Sequence, residues 1–123
     1  MQKIINNNRF LIINTLEENN QDCLILNTIS PKREVEIINN YLKNTDGINN
    51  KNNIHIVIYG ENSNDNKIIN KYSQLYNLGF RNIYVYIGGL FEWLLLQELY
   101  GNDEFPTSKK ELNILKYKAT RFL

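Results

Sequence analysis

The residues best suited to chemistry lie between Gly60 and Asn66, a polar stretch that follows a run of branched apolar residues. Glu61 and Asp65 could bind a divalent cation with help from neighbouring Asn side chains, because hard cations prefer oxygen ligands. Ser63 is a candidate nucleophile, but no basic side chain adjoins it in sequence to accept its proton. Solvation and capping of a following helix account for the same residues without any chemistry.

Cysteine and histidine each occur once, at Cys23 and His55. This composition rules out an internal disulfide and a zinc site built from Cys and His ligands. Cys23 starts an apolar run and is predicted to be a buried thiol, more than ~10 Å from Gly60 at ~3.3 Å per strand residue. A redox or intermolecular disulfide role is the alternative. His55 is predicted to be structural, because it opens a strand at the end away from the loops.

Strands of a parallel sheet are predicted to position these residues. Apolar runs indicate strands at 9–16, 23–28, 54–59 and 82–87. The run at 23–28 is nearly continuous, which is typical of a strand covered on both faces. In such a sheet the loop at 60–66 follows the carboxyl end of a strand, where α/β proteins place anion sites and nucleophiles.

Helices are predicted between these strands from apolar residues at helical spacing. One begins at Pro31, which suits a first helical position, and another spans Lys67 to Leu78. A third follows Gly89, and a capping box from Ser108 to Glu111 indicates a short last helix. The alternation predicts a three-layer α/β fold, with a mostly parallel four- or five-stranded sheet and helices on both faces.

Charge and hydropathy narrow the classes of partner. Lys and Arg number 14 and Asp and Glu 13, which argues against a general surface for nucleic acid or acidic membranes. No apolar run approaches the ~20 residues of a membrane span. The start of the chain has no signal-peptide h-region, so a cytoplasmic protein is expected. Tyrosines interleaved with basic residues, such as Tyr72 and Lys71, leave RNA binding as a weaker alternative.

The whole chain, residues 1–123, is predicted to form one domain, with a core over about 9–101 and a C-terminal helical extension over 102–123. No linker long enough to divide the chain is evident. Abundant Asn and Ile are typical of AT-rich genomes, such as those of some protists and large DNA viruses. A viral protein of this kind would act in the host cytoplasm or in the virion.

Several short motifs follow one another in a fixed order. An apolar strand ends at Tyr59 before a loop and a helix, Gly79-Phe80 precedes a strand that contains Val85, and Gly88-Gly89 is followed by Trp93. This order resembles the second half of the rhodanese-like domain family. The stretch from Leu24 to Pro31 is similar to the family's Leu-Ile-Asp-Val-Arg-x-Pro stretch. The resemblance covers roughly residues 9–101 and implies the rhodanese fold.

The resemblance also implies which chemical groups are missing. Active members carry a cysteine after the strand-end tyrosine, and its thiolate holds a sulfane sulfur; Gly60 stands at that place. Asp65 stands where the family often has Arg, and Asn27 and Ile29 occupy the places of its Asp and Arg. The resemblance therefore implies a rhodanese fold without sulfurtransferase activity, with no catalytic residue, cofactor or metal. What remains is a vestigial active-site loop of Gly60, Glu61, Asn62, Ser63, Asn64, Asp65 and Asn66.

The C-terminal third is unusually apolar for a small monomer. Apolar residues from Leu90 to Leu99 extend far around one helix, which favours a second packing partner beyond the sheet. The sequence therefore predicts a catalytically inactive rhodanese-like module that binds a protein or associates with itself. The alternative is an enzyme, either a sulfurtransferase relying on Cys23 or a metal-dependent hydrolase using Glu61 and Asp65. The candidate interface residues are Trp93, Leu96, Leu99, Tyr100 and Phe105.

Overall fold

The structure of the protein is a computed structural model that describes residues 1–7, 9–17, 21–43, 54–64, 66–109, 111 and 114–117. Within these ranges the chain alternates strands and helices. The strands are β1 (Phe10–Asn14), β2 (His55–Tyr59) and β3 (Ile83–Tyr86). The helices are α1 (Pro31–Lys43), α2 (Lys67–Asn77) and α3 (Gly89–Tyr100), and a 3₁₀ turn spans Ile114–Tyr117.

The three strands form one parallel sheet in the order β1-β2-β3. The central strand β2 pairs through Ile58 with Ile13 of β1 and with Val85 of β3. Because parallel neighbours need long crossover connections, the helices between the strands must lie on the faces of the sheet. The carboxyl ends of all three strands therefore meet at one edge, which is where the polar loop after Tyr59 begins.

Side chains alternate between the two faces of the sheet and divide the core into two layers. On one face Ile56 and Ile58 pack in a buried cluster with Ile68 and Leu75 of α2. On the other face Tyr59 packs in a second cluster that is dominated by α3. The members of this second cluster include Ile12, Leu90, Trp93, Leu94, Phe105 and Tyr117. Helices thus cover both faces, and the predicted three-layer α/β fold is confirmed.

The segment 23–28 differs from the predicted strand. It contributes two single bridges, from Thr28 to Ile12 and from Ile25 to Thr107, instead of a continuous ladder. The chain turns after Ile25, whose carbonyl accepts hydrogen bonds from the Thr28 amide at 3.1 Å and the Thr28 hydroxyl at 2.6 Å. Asn27 has a φ of 68°, a left-handed conformation that Asn tolerates better than most residues. The described part of the sheet consequently has three strands.

The C-terminal part also departs from its predicted local structure. Ser108 does not start a helix: its hydroxyl accepts a hydrogen bond from the Leu24 amide at 3.1 Å, and its own amide donates to the Leu24 carbonyl at 2.8 Å. The predicted capping box does not start a helix at Ser108, because a tertiary partner takes the hydroxyl, and Lys109 and Glu111 are not helical either. Residues 110, 112 and 113 lie outside the described residues, and the described part of the predicted last helix is the 3₁₀ turn at Ile114–Tyr117. In the part of the chain with described structure, no helix combines the length and hydropathy needed to cross a bilayer.

Candidate functional site

The polar loop begins where β2 ends, at the carboxyl edge of the sheet. Gly60 is buried, and Glu61 and Asn62 are partly exposed. Ser63, Asn64 and Asn66 face solvent, whereas Asp65 lies outside the described residues. The loop is therefore buried at its first residue and exposed further along, and it lies at the carboxyl edge of the sheet, where the sequence placed it.

The amino terminus of α3 binds the backbone of this loop. The Leu90 amide donates to the Gly60 carbonyl and the Phe91 amide to the Glu61 carbonyl, each at 2.8 Å. Amide groups in the first turn of a helix have no partner within the helix and are the groups that would otherwise hold an anion. Here two of them are already occupied by loop carbonyls, so α3 supports the loop instead of offering these amides to a ligand.

Gly89 makes this close approach of helix and loop possible. A Cβ atom at Gly89 would lie 2.5 Å from the Gly60 carbonyl oxygen and 2.9 Å from the Asn62 amide nitrogen. Its φ of 67° is a left-handed conformation as well. The second glycine of the Gly-Gly pair is therefore required by both space and backbone conformation.

Asn62 fixes the loop to the C-terminal part of the chain. Its side-chain amide donates to the Tyr117 carbonyl at 2.8 Å, and its side-chain oxygen accepts the Asn64 amide at 2.9 Å. Both polar ends of Asn62 are thus used within the protein. Among the described residues, no group of three or more His, Cys, Asp and Glu side chains has the arrangement of a metal site.

β1 ends at Asn14, a buried polar residue that the sequence patterns did not single out. Asn14 pairs in register with Tyr59, is buried, and exchanges two amide hydrogen bonds with Gln21, at 3.1 and 2.8 Å. Asn27, assigned to a strand end from the resemblance, lies instead in the turn after Ile25 and donates to the Ile5 carbonyl at 2.6 Å. The signal that could have identified Asn14 is its polar side chain at the end of the apolar run of β1.

Cys23 is buried, as predicted, in the core cluster on the α3 side of the sheet. Its thiol donates a hydrogen bond to the Lys109 carbonyl at 3.2 Å. Tyr59 and Tyr117 belong to the same cluster. The thiol therefore has a structural partner and little access to solvent, both of which oppose attack on an external substrate.

His55 lies at the amino end of β2, at the opposite end of this strand from the loop. Its ring stacks on Tyr84 with a centroid distance of 5.9 Å and lies 5.0 Å from the Phe10 ring. Its Nδ1 is 3.4 Å from the Tyr84 hydroxyl oxygen. These aromatic contacts agree with the structural role predicted for His55.

The predicted interface residues separate into buried and exposed members. Trp93 is 1% exposed, donates from Nε1 to the Pro106 carbonyl at 3.0 Å, and meets the buried Phe105 edge to face. Leu96 is partly buried against the same cluster. Leu99 and Tyr100 are 74% and 61% exposed. Of the five predicted residues only these two are exposed, and the Tyr100 ring still lies 5.9 Å from the Phe105 ring.

Two buried tyrosines near the loop, Tyr59 and Tyr117, are expected to make the stability of the protein depend on alkaline pH. The Tyr59 hydroxyl accepts the Ile25 amide at 3.2 Å and lies 2.8 Å from the Thr28 hydroxyl. Burial raises the pKa of Tyr59 above its ordinary range, and burial, with a smaller contribution from Cys23, raises the pKa of Tyr117 to about 12. Both phenols therefore stay neutral in the folded protein at pH values where the unfolded chain ionises.

We expect the free energy of unfolding to fall as the pH rises above ~10, by about 1.4 kcal/mol per pH unit for each such tyrosine. The sign follows because the unfolded state binds fewer protons than the folded state in this range. Tyr59→Phe should flatten the slope, as measured by urea unfolding between pH 8 and 12. Tyr100→Phe, at an exposed position, is the matched control, and equal slopes for both variants would contradict this account.

A family model for the rhodanese-like domain matches residues 17–96, which is more than half of the chain. Neither the curated proteins nor the solved structures gave a match. The matched range contains β2, its polar loop, β3 and the Gly-Gly pair that binds the loop. The chain therefore belongs to the rhodanese-like domain family.

Proposed function

We propose that this chain is a catalytically inactive rhodanese-like module that acts by binding a protein partner or by self-association. The observation that carries the proposal is the residue after Tyr59. The resemblance requires a cysteine there as the sulfur carrier, and Gly60 has no side chain with which to attack or to hold sulfur. A glycine at this position removes the nucleophile itself.

The first residues of the loop are hydrogen-bonded to other parts of the chain. Two α3 amides are engaged by the carbonyls of Gly60 and Glu61, and Asn62 is tied to Tyr117. The Glu61 carboxylate adds a negative charge beside the position where the family holds a thiolate. Coulomb repulsion of about 1 kcal/mol opposes a second anion even in well-solvated surroundings.

The binding role is supported by the exposed side of α3. Apolar residues occur on every side of this helix, although Glu92, Gln97 and Glu98 interrupt them, and such a distribution favours packing on more than one side. Leu90 and Leu94 face the core, but Leu95, Leu99 and Tyr100 are exposed. An uncovered apolar helix face next to an inactive site fits a module that works through contacts with another protein.

The enzyme alternatives have weaker support. A sulfurtransferase relying on Cys23 would need access to a thiol that is buried and hydrogen-bonded to the Lys109 carbonyl. A metal-dependent hydrolase using Glu61 and Asp65 would need further ligands, and Asn62 already uses its side-chain oxygen for Asn64. A thermal shift with Mg²⁺ or Ca²⁺ that disappears in Glu61→Gln/Asp65→Asn would revive the second alternative.

We expect no thiocyanate formation above background when the protein is incubated with thiosulfate and cyanide, and none from Gly60→Cys beyond a slow residual rate. The restored thiol would have a raised pKa because of Glu61 and Asp65, so little thiolate would form at neutral pH. Colorimetric thiocyanate detection and mass spectrometry for a persulfide measure both steps.

Two variants control this experiment. Gly60→Cys/Glu61→Gln removes one carboxylate, so a higher rate than Gly60→Cys alone is expected if electrostatics limits the thiol. Cys23→Ala tests the remaining cysteine of the unaltered chain. Turnover by the unaltered protein that Cys23→Ala abolishes would overturn the proposal, and rapid sulfur transfer by Gly60→Cys would refute the electrostatic reason given for it.

A further inference from the structure

The stretch from residue 66 to residue 108 separates charge sharply between two helices. Residues 66–81 contain Lys67, Lys71 and Arg81 and no acidic residue. Residues 82–108 contain no basic residue, and their acidic residues are Glu92, Glu98, Asp103 and Glu104. The first part includes α2 and the second includes α3, and these helices pack on opposite faces of the sheet. The segments that contain these two helices thus carry charged side chains of opposite sign.

On α2 an apolar stripe faces solvent beside the core-facing residues. Ile69, Tyr72 and Tyr76 recur at helical spacing, Ile69 is 66% exposed, and the two tyrosine rings stack at 6.3 Å. The Arg81 guanidinium lies 4.3 Å from the centre of the Tyr76 ring. These four residues are called the α2 stripe.

The two lysines of α2 are paired within the chain. Lys67 pairs with Glu17, and Lys71 pairs with Glu34 at 2.7 Å. Arg81 has no carboxylate partner among the ion pairs of the described residues: its Nη1 donates to the Tyr76 and Phe80 carbonyls at 2.8 and 3.3 Å. Its positive charge is therefore the one that the α2 stripe offers to a carboxylate of a partner.

On α3 a second apolar stripe faces away from the sheet. Leu95 and Leu99 lie four residues apart on the side opposite Leu90, and both are exposed. Glu92 and Glu98 are exposed residues of the same helix, and the Glu92 carboxylate also hydrogen-bonds with the Tyr86 hydroxyl. These four exposed residues, Glu92, Leu95, Glu98 and Leu99, are called the α3 stripe. It offers aliphatic side chains with acids, whereas the α2 stripe offers aromatic side chains with a cation.

We infer that the α3 stripe of one copy binds the α2 stripe of a second copy of this chain. The inference rests on the binding role proposed above and names the partner. Apolar side chains meet on both sides, and Arg81 meets carboxylates, whereas pairing two α3 stripes would place Glu92 and Glu98 against their own copies. Because the two surfaces differ, the contact is heterologous and continues into a closed ring or an open chain.

A complementation experiment tests this arrangement. Leu95→Gln/Leu99→Gln breaks the α3 stripe, and Ile69→Gln/Tyr76→Gln breaks the α2 stripe. Light scattering over a range of concentrations should show assembly of the unaltered protein and dissociation constants raised about tenfold or more for each variant alone. An equimolar mixture should form a dimer, because each variant keeps the surface that the other lacks. Val35→Gln on α1, at a 59% exposed position, is the matched control and should assemble normally.

Several results would overturn the inference. They are an unaltered protein that stays monomeric, a mixture that stays monomeric, and an α2-stripe variant that still forms dimers through α3 alone. Circular dichroism of each variant verifies that it is folded. The thiosulfate assay is independent of assembly, so a monomeric protein without turnover would remove this inference and leave the catalytically inactive module in place.

Discussion

Gly89→Ala is expected to lower the free energy of unfolding of this domain by ~2–5 kcal/mol. Left-handed backbone at a non-glycine residue costs ~1–2 kcal/mol, and overpacking adds ~1–3 kcal/mol. The new Cβ would meet the Gly60 carbonyl oxygen at 2.5 Å and the Asn62 amide nitrogen at 2.9 Å, and backbone atoms cannot swing aside as a flexible side chain would. Relief would require breaking the Leu90 and Phe91 hydrogen bonds to the loop.

Gly101→Ala is the matched control for this prediction. Gly101 also has a positive φ, 96°, but a Cβ built there has nothing within 4 Å. Gly101→Ala should therefore lower the free energy of unfolding by ~1–3 kcal/mol, from backbone conformation alone. Urea unfolding followed by circular dichroism gives both values. Equal losses for the two variants would show that the helix and loop separate easily and that the contact at Gly89 is not a constraint.

Trp93→Ala is expected to cost ~3–5 kcal/mol, the range found when large aromatic residues are removed from cores. Trp93 is almost wholly buried and packs edge to face against Tyr86 and Phe105, with ring centroids 6.0 and 5.0 Å away. The substitution also leaves the Pro106 carbonyl without its indole donor. Unfolding must be followed by circular dichroism, because Trp93 is the only tryptophan and its loss removes the fluorescence signal.

Two further variants separate the causes. Trp93→Phe keeps most of the apolar volume and loses the hydrogen bond to Pro106, so an intermediate loss of ~1–3 kcal/mol is expected. Leu99→Ala, at an exposed position of the same helix, should change stability by less than ~0.5 kcal/mol. If Leu99→Ala were as damaging as Trp93→Ala, the orientation of α3 on the sheet would be different from the one described.

Sequence patterns predicted the elements around the loop well, because these depend on local signals. The apolar run of β2, the spacing in α2 and the Gly-Gly pair before Trp93 each specify their own conformation. The buried state of Cys23 also followed from its apolar neighbours. At the loop, the replacement of the family's cysteine by Gly60 could be read from the resemblance, since it concerns the residue type at a single position.

The remaining features depend on contacts between distant residues. The segment 23–28 has strand-forming residues, but its backbone groups hydrogen-bond outside a strand ladder. The Ile25 amide donates to the Tyr59 hydroxyl, and the Leu24 amide and carbonyl bond with Ser108, so the chain can turn here. The Asn62 side chain hydrogen-bonds to the Tyr117 carbonyl, and no local sequence pattern relates these two residues. For α3, apolar residues on all sides gave no indication of which side meets the sheet, so Trp93 and Phe105 were assigned to the surface although both are buried.

The two core layers differ in the length of chain over which their buried residues are spread. The cluster that includes α1 and α2 draws its buried residues from Ile13 to Phe80, whereas the cluster under α3 extends from Ile5 to Tyr117. During ribosomal synthesis, which proceeds from the amino terminus, the first layer has all its buried parts long before the second. The layer under α3 is therefore completed only after Tyr117 has emerged, which is the last buried core residue among those that the structure describes.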